Sequence, residues 1–402
     1  KWMRDYFTAE VEPVLTPLAL DPARPFPRIQ NKSLNFIVQL AGEDAYGRNA
    51  SLAIVQVPRS LPRVIRLGEA AGRGRHTLAL LSRIILSNIG RLFAGVEVLG
   101  CWQFRVTRNS DLYVDDEEVD DLLRAVEGEL AHRRYGAAVR LETAHDFPEG
   151  LVSFLRRQFS LEPDDVYLVN GPVNLNRLMS LYDLVDRPDL KFPAYKPGIP
   201  ARMAPQADLF PVIRQGDVLL HHPYQSFQPV SDFVRRAATD PRVLAIKMTL
   251  YRAGADSMIV ESLVEAARNG KDVTVIVELR ARFDEAANIE LANRLQEAGV
   301  HVMYGVVGFK THAKLILVVR REHRGLRRYC HIGTGNYHAR TARTYTDYGL
   351  FTADQQVGED LHDLFRQLTS LTRAPRLRRL LQSPFTLHAG LVEQGLPLSS
   401  AD

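Results

Sequence analysis

The sequence predicts an α/β protein of two domains, with an α+β first half and a second half in which strands and helices alternate. The chain has 402 residues, 46% hydrophobic and 24% charged, which is enough for roughly two or three globular domains. In the second half, strands that are nearly continuous in Val, Ile and Leu predict a mixed, largely parallel sheet covered by helices. The proline-rich segment 187–211 predicts a connector, and we place the domain boundary near Arg202.

The first half carries short patterns of both kinds. Apolar runs bounded by turn formers predict strands over 32–40, 51–57, 101–114 and 136–144. Apolar residues at helical spacing predict helices over 76–93, 115–134 and 147–161. The acidic run that opens 115–134 suits the N-terminus of a helix, and we interpret it as a solvated cap rather than a metal site.

The second half repeats a strand–helix pattern. Strands are predicted over 243–252, 272–280, 300–305, 313–321, 327–334 and 345–352. Helices are predicted over 257–270, 283–299 and 358–372, and Gly270 and Gly299 are stop signals for the first two.

Composition excludes several classes of protein. No stretch approaches the roughly 18 consecutive apolar residues of a membrane span. Cys101 and Cys330 are the two cysteines, which excludes a cysteine zinc site and predicts a reducing, cytoplasmic setting. The first residues have neither an initiator Met nor a signal-peptide core, so we expect the chain to start inside a larger protein.

The basic residues are mostly arginine. Only eight of the 51 basic residues are Lys, and Arg presents a rigid fork of donors that matches phosphate oxygens. Genome composition explains the same bias, so this observation alone does not identify a ligand. The net charge of +4 and the absence of a nucleic-acid module predict no specific nucleic-acid partner.

Candidate site residues occur where the predicted strands of the second half begin and end. In open α/β sheets, ligands bind beyond the carboxyl ends of the strands. Arg252 ends the first of these strands and Arg282 follows the second, whereas His312 and Lys314 are two residues apart at the start of another, on one face. A glycine-punctuated turn over 333–338, which carries Asn336 and His338, follows.

This combination favours phosphoryl transfer. A neutral imidazole can attack phosphorus, a neighbouring lysine neutralises phosphate oxygens, and a Gly-rich backbone approaches the group closely. Structural alternatives stay open: His312 as a hydrogen-bonded structural residue, arginines paired with Asp284 or Glu285, and a Gly-Thr-Gly-Asn segment that is only a tight turn.

Several short sequence segments resemble those of known families. His312-Ala313-Lys314 followed by Gly-Thr-Gly-Asn resembles half of the phospholipase D signature, although Val319 stands where that signature has Asp. The words FRVTRNSDL, HHPYQSFQPV, AIKMTLYR, ELRARFDEAANI, GFKTHAK and HIGTGNYH together resemble the long, histidine-phosphorylating bacterial polyphosphate kinases, as does EVEPVLTPLALDPARPFP. This second resemblance covers nearly the whole chain.

The resemblance implies a domain plan. Residues 1–201 correspond to the head domain, 202–380 to a first phospholipase D-like catalytic domain, and 381–402 to the start of a second one. The family's N-terminal domain and most of its second catalytic domain would lie outside this chain. We therefore expect the chain alone to be weakly active or inactive.

The resemblance also implies an activity: reversible transfer of the terminal phosphate of ATP to inorganic polyphosphate, through a phosphohistidine, with Mg²⁺. The site residues it implies are the phosphorylated His312, the phosphate- and magnesium-associated Arg252 and Arg282, Lys314 and Asn336 on phosphate, and Tyr345 on the nucleotide. Mg²⁺ is expected near the arginines through phosphate or water.

Partners and alternatives follow from the same resemblance. It implies ATP, ADP and polyphosphate as ligands and a homo-oligomer of the full-length protein, and it is compatible with peripheral membrane association. One alternative is a phospholipase D-type phosphodiesterase or nuclease, which Val319 and the arginines disfavour. The other is a polyanion-binding module that forms no covalent intermediate.

Overall fold

A computed structural model divides the chain into two compact units, the first of residues 1–112 and 131–193 and the second of residues 113–130 and 194–402. The division falls inside the proline-rich segment, eight residues before the boundary placed near Arg202. The structure describes all residues except 22–24, 44–46, 48, 50, 68–76, 110–122, 124–125, 127–135, 253–256, 282–283, 307, 371, 374–375 and 396–402. The predicted helix over 115–134 therefore lies almost wholly outside the described residues.

The first unit is built on a six-stranded sheet in the order β1-β3-β2-β6-β7-β8, beside the antiparallel pair β4-β5. Its strands are β1 Pro17–Leu20, β2 Leu34–Ala41, β3 Leu52–Gln56, β4 Val64–Arg66, β5 Leu78–Leu80, β6 Glu97–Arg108, β7 Ala138–Ala144 and β8 Val166–Val169. Its α-helices are Trp2–Tyr6, Leu81–Asn88, Glu149–Phe159 and Leu181–Leu184. The helix predicted over 76–93 thus begins only at Leu81, after β5.

Both faces of the six-stranded sheet are covered. Along β2, Phe36 and Val38 pack into a cluster with helix Leu81–Asn88, whereas Ile37 faces a second cluster with helix Glu149–Phe159. Successive side chains of a strand point to opposite faces, so an almost continuously apolar strand such as β2 must be buried on both.

The second unit contains a seven-stranded sheet in the order β12-β11-β10-β13-β14-β15-β9. Its strands are β9 Val218–His222, β10 Val243–Leu250, β11 Asp272–Val277, β12 His301–Tyr304, β13 Lys314–Glu322, β14 Gly325–Gly333 and β15 Asp347–Thr352. Its α-helices are Leu209–Gln215, Gln228–Thr239, Met258–Arg268, Glu285–Glu297, Gln355–Ser370 and Leu387–Glu393.

The α/β class is confirmed, but the prediction of a largely parallel sheet is wrong. Only the β10–β11 and β11–β12 pairings are parallel, and the other four of the six are antiparallel. Parallel neighbours require a crossover, which helices Met258–Arg268 and Glu285–Glu297 supply. β13 and β14 are instead joined by the two residues after Glu322, a hairpin that forces them antiparallel.

No helix in the described part of the chain is long and apolar enough to cross a membrane.

Candidate active site

The polarity of the strands brings the segments that carry Arg252, His312 and Lys314 to one edge of the seven-stranded sheet. β13 runs antiparallel to β10, with Ile316 opposite Met248, so the start of β13 lies beside the end of β10. β14 returns antiparallel, and its last residue, Gly333, pairs with Lys314. The segments that follow β10, precede β13 and follow β14 therefore meet at this edge.

The backbone around His312 is fixed by a threonine of β10. The Thr249 hydroxyl donates to the carbonyl oxygen of Ala313 (2.7 Å) and accepts from the backbone N–H of Leu315 (3.0 Å). Thr249 is 1% exposed, so these bonds are shielded from water. This contact sets the position from which the chain enters β13.

A buried carboxylate holds the other side of the histidine. Glu278, 1% exposed at the end of β11, accepts from the backbone N–H groups of Thr311 (2.7 Å) and Arg280 (3.0 Å). Asn288 donates its side-chain amide to the carbonyl oxygens of Glu278 (2.8 Å) and Tyr251 (2.9 Å), which ties the ends of β11 and β10 together. These groups position His312 without touching its ring.

The imidazole of His312 is exposed and stands edge-on to the ring of Tyr251, with centroids 4.6 Å apart and an interplanar angle of 89°. Partial desolvation lowers the pKa of His312, and the positive charges of Lys314, Arg252 and Lys310 lower it further. A histidine whose pKa lies below its ordinary value is neutral at pH 7 and has a free ring lone pair.

Lys314 is 5% exposed, and its ammonium group donates to the carbonyl oxygen of His312. The same group lies 5.1 Å from the ring centroid of Tyr251, so Lys314 and His312 contact one ring. Desolvation lowers the pKa of Lys314 to about 8; Asp347 opposes this shift and Arg252 adds to it. A bound anion would therefore stabilise the charged form of Lys314.

Arg252 follows β10 and is half exposed. Its Nε lies 3.1 Å from a carboxylate oxygen of Asp284, the pairing that the structural alternative anticipated. The charge of Arg252 lowers the pKa values of both His312 and Lys314, so it belongs to the same site. Arg282, its predicted companion, lies outside the described residues.

The Gly-Thr-Gly-Asn segment forms a turn locked by Asp347. The Thr334 hydroxyl donates to the Asp347 carboxylate (2.8 Å) and accepts from the backbone N–H of Tyr348 (2.9 Å). A Cβ at Gly335 would lie 2.4 Å from a carboxylate oxygen of Asp347, so only glycine fits there. The close approach of this turn to a carboxylate, rather than to a ligand, accounts for its second glycine.

Asn336 and Tyr345 are not brought against His312 by any contact among the described residues. The side-chain oxygen of Asn336 is buried without a hydrogen-bond partner, in a cavity of about 10 Å³ that His222 and His331 also line. That volume fits about one water molecule. The side chain of Tyr345 is 63% exposed.

Two buried histidines near this turn were not singled out from the sequence. His331, 2% exposed, has its Nδ1 3.0 Å from the Tyr337 hydroxyl. Burial, reinforced by His222, lowers the pKa of His331 to about 3, so the ring is neutral at any physiological pH. His222 and His331 come close to this turn only because their strands, which are distant in sequence, pair in the sheet. No local pattern in the sequence indicates their position.

The side chains near His312 include two cations and offer few ligands to a metal ion. Among the described residues, no group of three His, Cys, Asp or Glu side chains could hold a metal. Arg252 and Lys314 carry positive charge and have no lone pair to offer a cation. Both could instead contact anionic oxygens.

Two models of known domain families match the chain. Residues 1–181 match the family model of the polyphosphate kinase middle domain, and residues 208–374 match that of polyphosphate kinase C-terminal domain 1. The chain is 55% identical to the polyphosphate kinase of Pseudomonas aeruginosa over 98% of its own length and 57% of the relative. It is 56% identical to that of Xylella fastidiosa over 98% of the chain and 56% of the relative.

The crystal structure of polyphosphate kinase from Porphyromonas gingivalis has the same fold, with a TM-score of 0.79 and 26% identity over 98% of this chain and 57% of that one. The chain thus spans slightly more than half the length of these proteins. The two family models together match most of the chain. The chain belongs to the polyphosphate kinase family.

Proposed function

We propose that His312 accepts the terminal phosphoryl group of ATP and transfers it to inorganic polyphosphate. The observation that carries this proposal is an exposed, neutral imidazole whose pKa is lowered by partial desolvation and also by the cations that would hold a phosphate beside it. Phosphoryl transfer needs mainly positioning and charge neutralisation, and the fixed backbone around His312 supports both.

In the first step, a ring nitrogen of His312 attacks the γ-phosphorus of ATP. An N–P bond forms, the bond from that phosphorus to the β,γ-bridging oxygen breaks, and ADP leaves with the bonding electrons. The ring loses its remaining N–H proton to solvent. In the second step, the ring takes up a proton from solvent, the terminal oxygen of polyphosphate attacks the phosphorus, and the N–P bond breaks with its electrons going to the ring nitrogen, which regenerates the neutral imidazole.

Lys314 and Arg252 would hold the oxygens of the transferring group, since both lie close enough to shift the pKa of His312. The family resemblance assigns Arg282 and Asn336 to phosphate and Tyr345 to the nucleotide, and we retain these assignments as proposals. Bound with ATP, Mg²⁺ would neutralise phosphate charge, with Arg252 contacting the phosphates that carry it.

The decisive experiment is labelling of this chain with ATP carrying a radioactive γ-phosphate, in the presence of Mg²⁺. The expected result is one label on His312, stable to base and lost in acid. His312→Ala should abolish it, and His301→Ala, which removes an exposed histidine at the start of β12, should not. Label that persists in His312→Ala would contradict the proposal.

A second donor separates the nucleophile from the nucleotide site. Phosphoramidate, a small phosphoryl donor, should also label His312. Labelling by phosphoramidate but not by ATP would contradict the assignment of ATP as donor to this chain, while the role of His312 as nucleophile would stand.

Net polyphosphate synthesis is proposed to need the remainder of the protein, because the chain spans only 57% of the Pseudomonas aeruginosa relative. With this chain alone, we expect single-turnover labelling and little synthesis; robust synthesis would contradict this. The phosphodiesterase alternative is disfavoured because Val319, at the position of the signature Asp, packs against the apolar cluster around Leu317.

We further propose that the protein works in the cytoplasm, where ATP is supplied, and that the full-length protein is a homo-oligomer. Analytical ultracentrifugation of the full-length protein tests the second statement, and a monomer at micromolar concentration would contradict it.

A further inference from the structure

The first unit contains a cavity of about 530 Å³ that the proposed phosphoryl transfer does not use. It is lined by the residues around Lys32, by the segment 57–64 between β3 and β4, and by residues from Asn174 to Leu184. Small-molecule sites are typically about 300–1,000 Å³, so a ligand with several heavy groups would fit.

The polar lining of this cavity is strongly cationic. Lys32, Arg59, Arg63 and Arg177 line it, against one carboxylate, that of Asp183. Within the described chain, Asp183 makes no ion pair with Arg63 or Arg177. The lining therefore carries four cationic side chains and one carboxylate, which gives the cavity an excess of positive charge.

Arg63 carries the argument, because one of its guanidinium nitrogens, Nη1, is buried without a hydrogen-bond partner. Buried donors in folded proteins are almost always paired, and the exceptions point to a ligand, an ion or water. Burial, together with the charge of Arg177, lowers the pKa of Arg63 to about 10. Burial thus makes the charged form of Arg63 less favourable than it is in water, although the side chain stays charged at pH 7, and a bound anion would offset this cost.

The backbone around the cavity is conformationally restricted. Three non-glycine residues in the described chain have positive φ, and two of them, Lys32 (φ 57°) and Asn174 (φ 68°), line this cavity. Strained backbone of this kind clusters at ligand sites. Pro58 and Pro62 restrict the loop that carries Arg59 and Arg63.

We infer that this cavity binds a ligand with several phosphate groups. Arg guanidinium groups match phosphate oxygens two at a time, and several of them in one cavity suit a chain of phosphates better than a single carboxylate. The phosphates could belong to inorganic polyphosphate or to a nucleoside triphosphate, and the experiment below distinguishes these sources. The site lies in the first unit and needs no chemistry at His312.

The test is hydrogen–deuterium exchange of the 402-residue chain with inorganic tripolyphosphate, ATP or adenosine, read at peptides covering 57–66 and 174–184. Tripolyphosphate should slow exchange in both segments. ATP that protects to the same extent would indicate that the phosphates alone are recognised, and stronger protection by ATP would assign the nucleotide as the source. Protection by adenosine alone, or by none of the probes, would overturn the inference.

Matched variants locate the site. Arg177→Gln, at an exposed residue, should weaken tripolyphosphate binding about tenfold or more, as expected for the loss of a hydrogen bond to a charged group. Arg63→Gln should have at least that effect, and Arg177→Gln keeps the test valid if Arg63→Gln does not fold. Arg157→Gln, which removes an exposed arginine outside the cavity, is the control. Equal affinity of Arg177→Gln and the control would overturn the inference.

The result is independent of the proposed enzyme function. His312→Ala should keep the protection of the two segments, and Arg177→Gln should keep phosphoramidate labelling of His312. Loss of the protection in His312→Ala would show that the probe binds at the sheet edge of the second unit and would overturn the inference.

Discussion

The charge on Lys314 should set an alkaline limit to the phosphorylation of His312. With a pKa of about 8, its ammonium group is about 90% charged at pH 7 and about 10% charged at pH 9. If this charge neutralises the transferring phosphoryl group, the second-order rate constant for labelling should fall roughly tenfold per pH unit above pH 8. The lowered pKa of His312 places the acidic limb below pH 6.5, because its ring stays neutral to lower pH.

Two substitutions separate charge from shape. Lys314→Met keeps a long side chain and removes the charge. The rate of His312 labelling at pH 7 should fall about 10²- to 10³-fold, which is typical for the loss of a preorganised transition-state contact. The alkaline limb of the pH profile should also disappear. Lys314→Arg keeps a charge that does not titrate below pH 12, so the limb should move above pH 10 even if the rate is lower.

The assay is the initial rate of His312 labelling between pH 5.5 and 10, with donor far below saturation so that the profile reports the free protein. Lys271→Met is the control, because Lys271 also has a lowered pKa and bonds to the carbonyl of Val243 at the opposite end of β10. An alkaline limb near pH 8 that is unchanged in Lys314→Arg would refute this role of Lys314.

Three further substitutions test the support of the site and of the fold. Glu278→Gln turns one acceptor of a backbone N–H into a donor, so unfolding free energy should fall by about 1–3 kcal/mol and His312 labelling should slow, both measured on the same preparation. Gly349→Ala would place a Cβ 2.6 Å from the Nε2 of His331 and should cost about 1–3 kcal/mol in urea denaturation, whereas Gly150→Ala, with open space around it, should not. Asp360→Ala removes the carboxylate that accepts from the backbone N–H groups of Arg378 (3.0 Å), Arg379 (2.7 Å) and Leu380 (3.0 Å), so hydrogen exchange of 376–383 should accelerate; unchanged exchange would contradict this anchor.

Local patterns were sufficient to locate most strands of the second unit. The runs over 243–252, 272–280 and 300–305 correspond to β10, β11 and β12, because near-continuous apolar strands between amphipathic helices leave little ambiguity. β9 was not predicted. Its residues Val218–His222 gain their role only by pairing with β15, far along the chain, and its two histidines weaken the apolar signal.

The candidate site was only partly predictable. His312 and Lys314 were found because their two-residue spacing is visible in the sequence. Glu278 and Thr249 were missed because their bonds to the His312 segment span 33 and 66 residues, and a glutamate at a strand end does not show which backbone it will hold. The buried environment of His331 depends equally on neighbours that only the sheet order supplies.

The incorrect prediction of sheet polarity bears directly on the chemistry. In a parallel sheet, strand starts lie at one edge and strand ends at the other. β10 is eight residues long, so at about 3.3 Å per residue its two ends are roughly 26 Å apart. A β13 parallel to β10 would have placed His312 about that distance from Arg252, too far for the charge of Arg252 to act on the imidazole.

Placing His312 and Arg252 in one site therefore requires β13 to run antiparallel to β10, an exception that the predicted mixed, largely parallel sheet left open. The antiparallel entry of β13 between β10 and β14 meets this requirement, since it puts the start of one strand beside the ends of its neighbours. The five residues between the predicted strands 313–321 and 327–334 are too few for a crossover and already favour a hairpin. The short connection between β13 and β14 and the gathering of cations around His312 are thus two consequences of the same strand polarity.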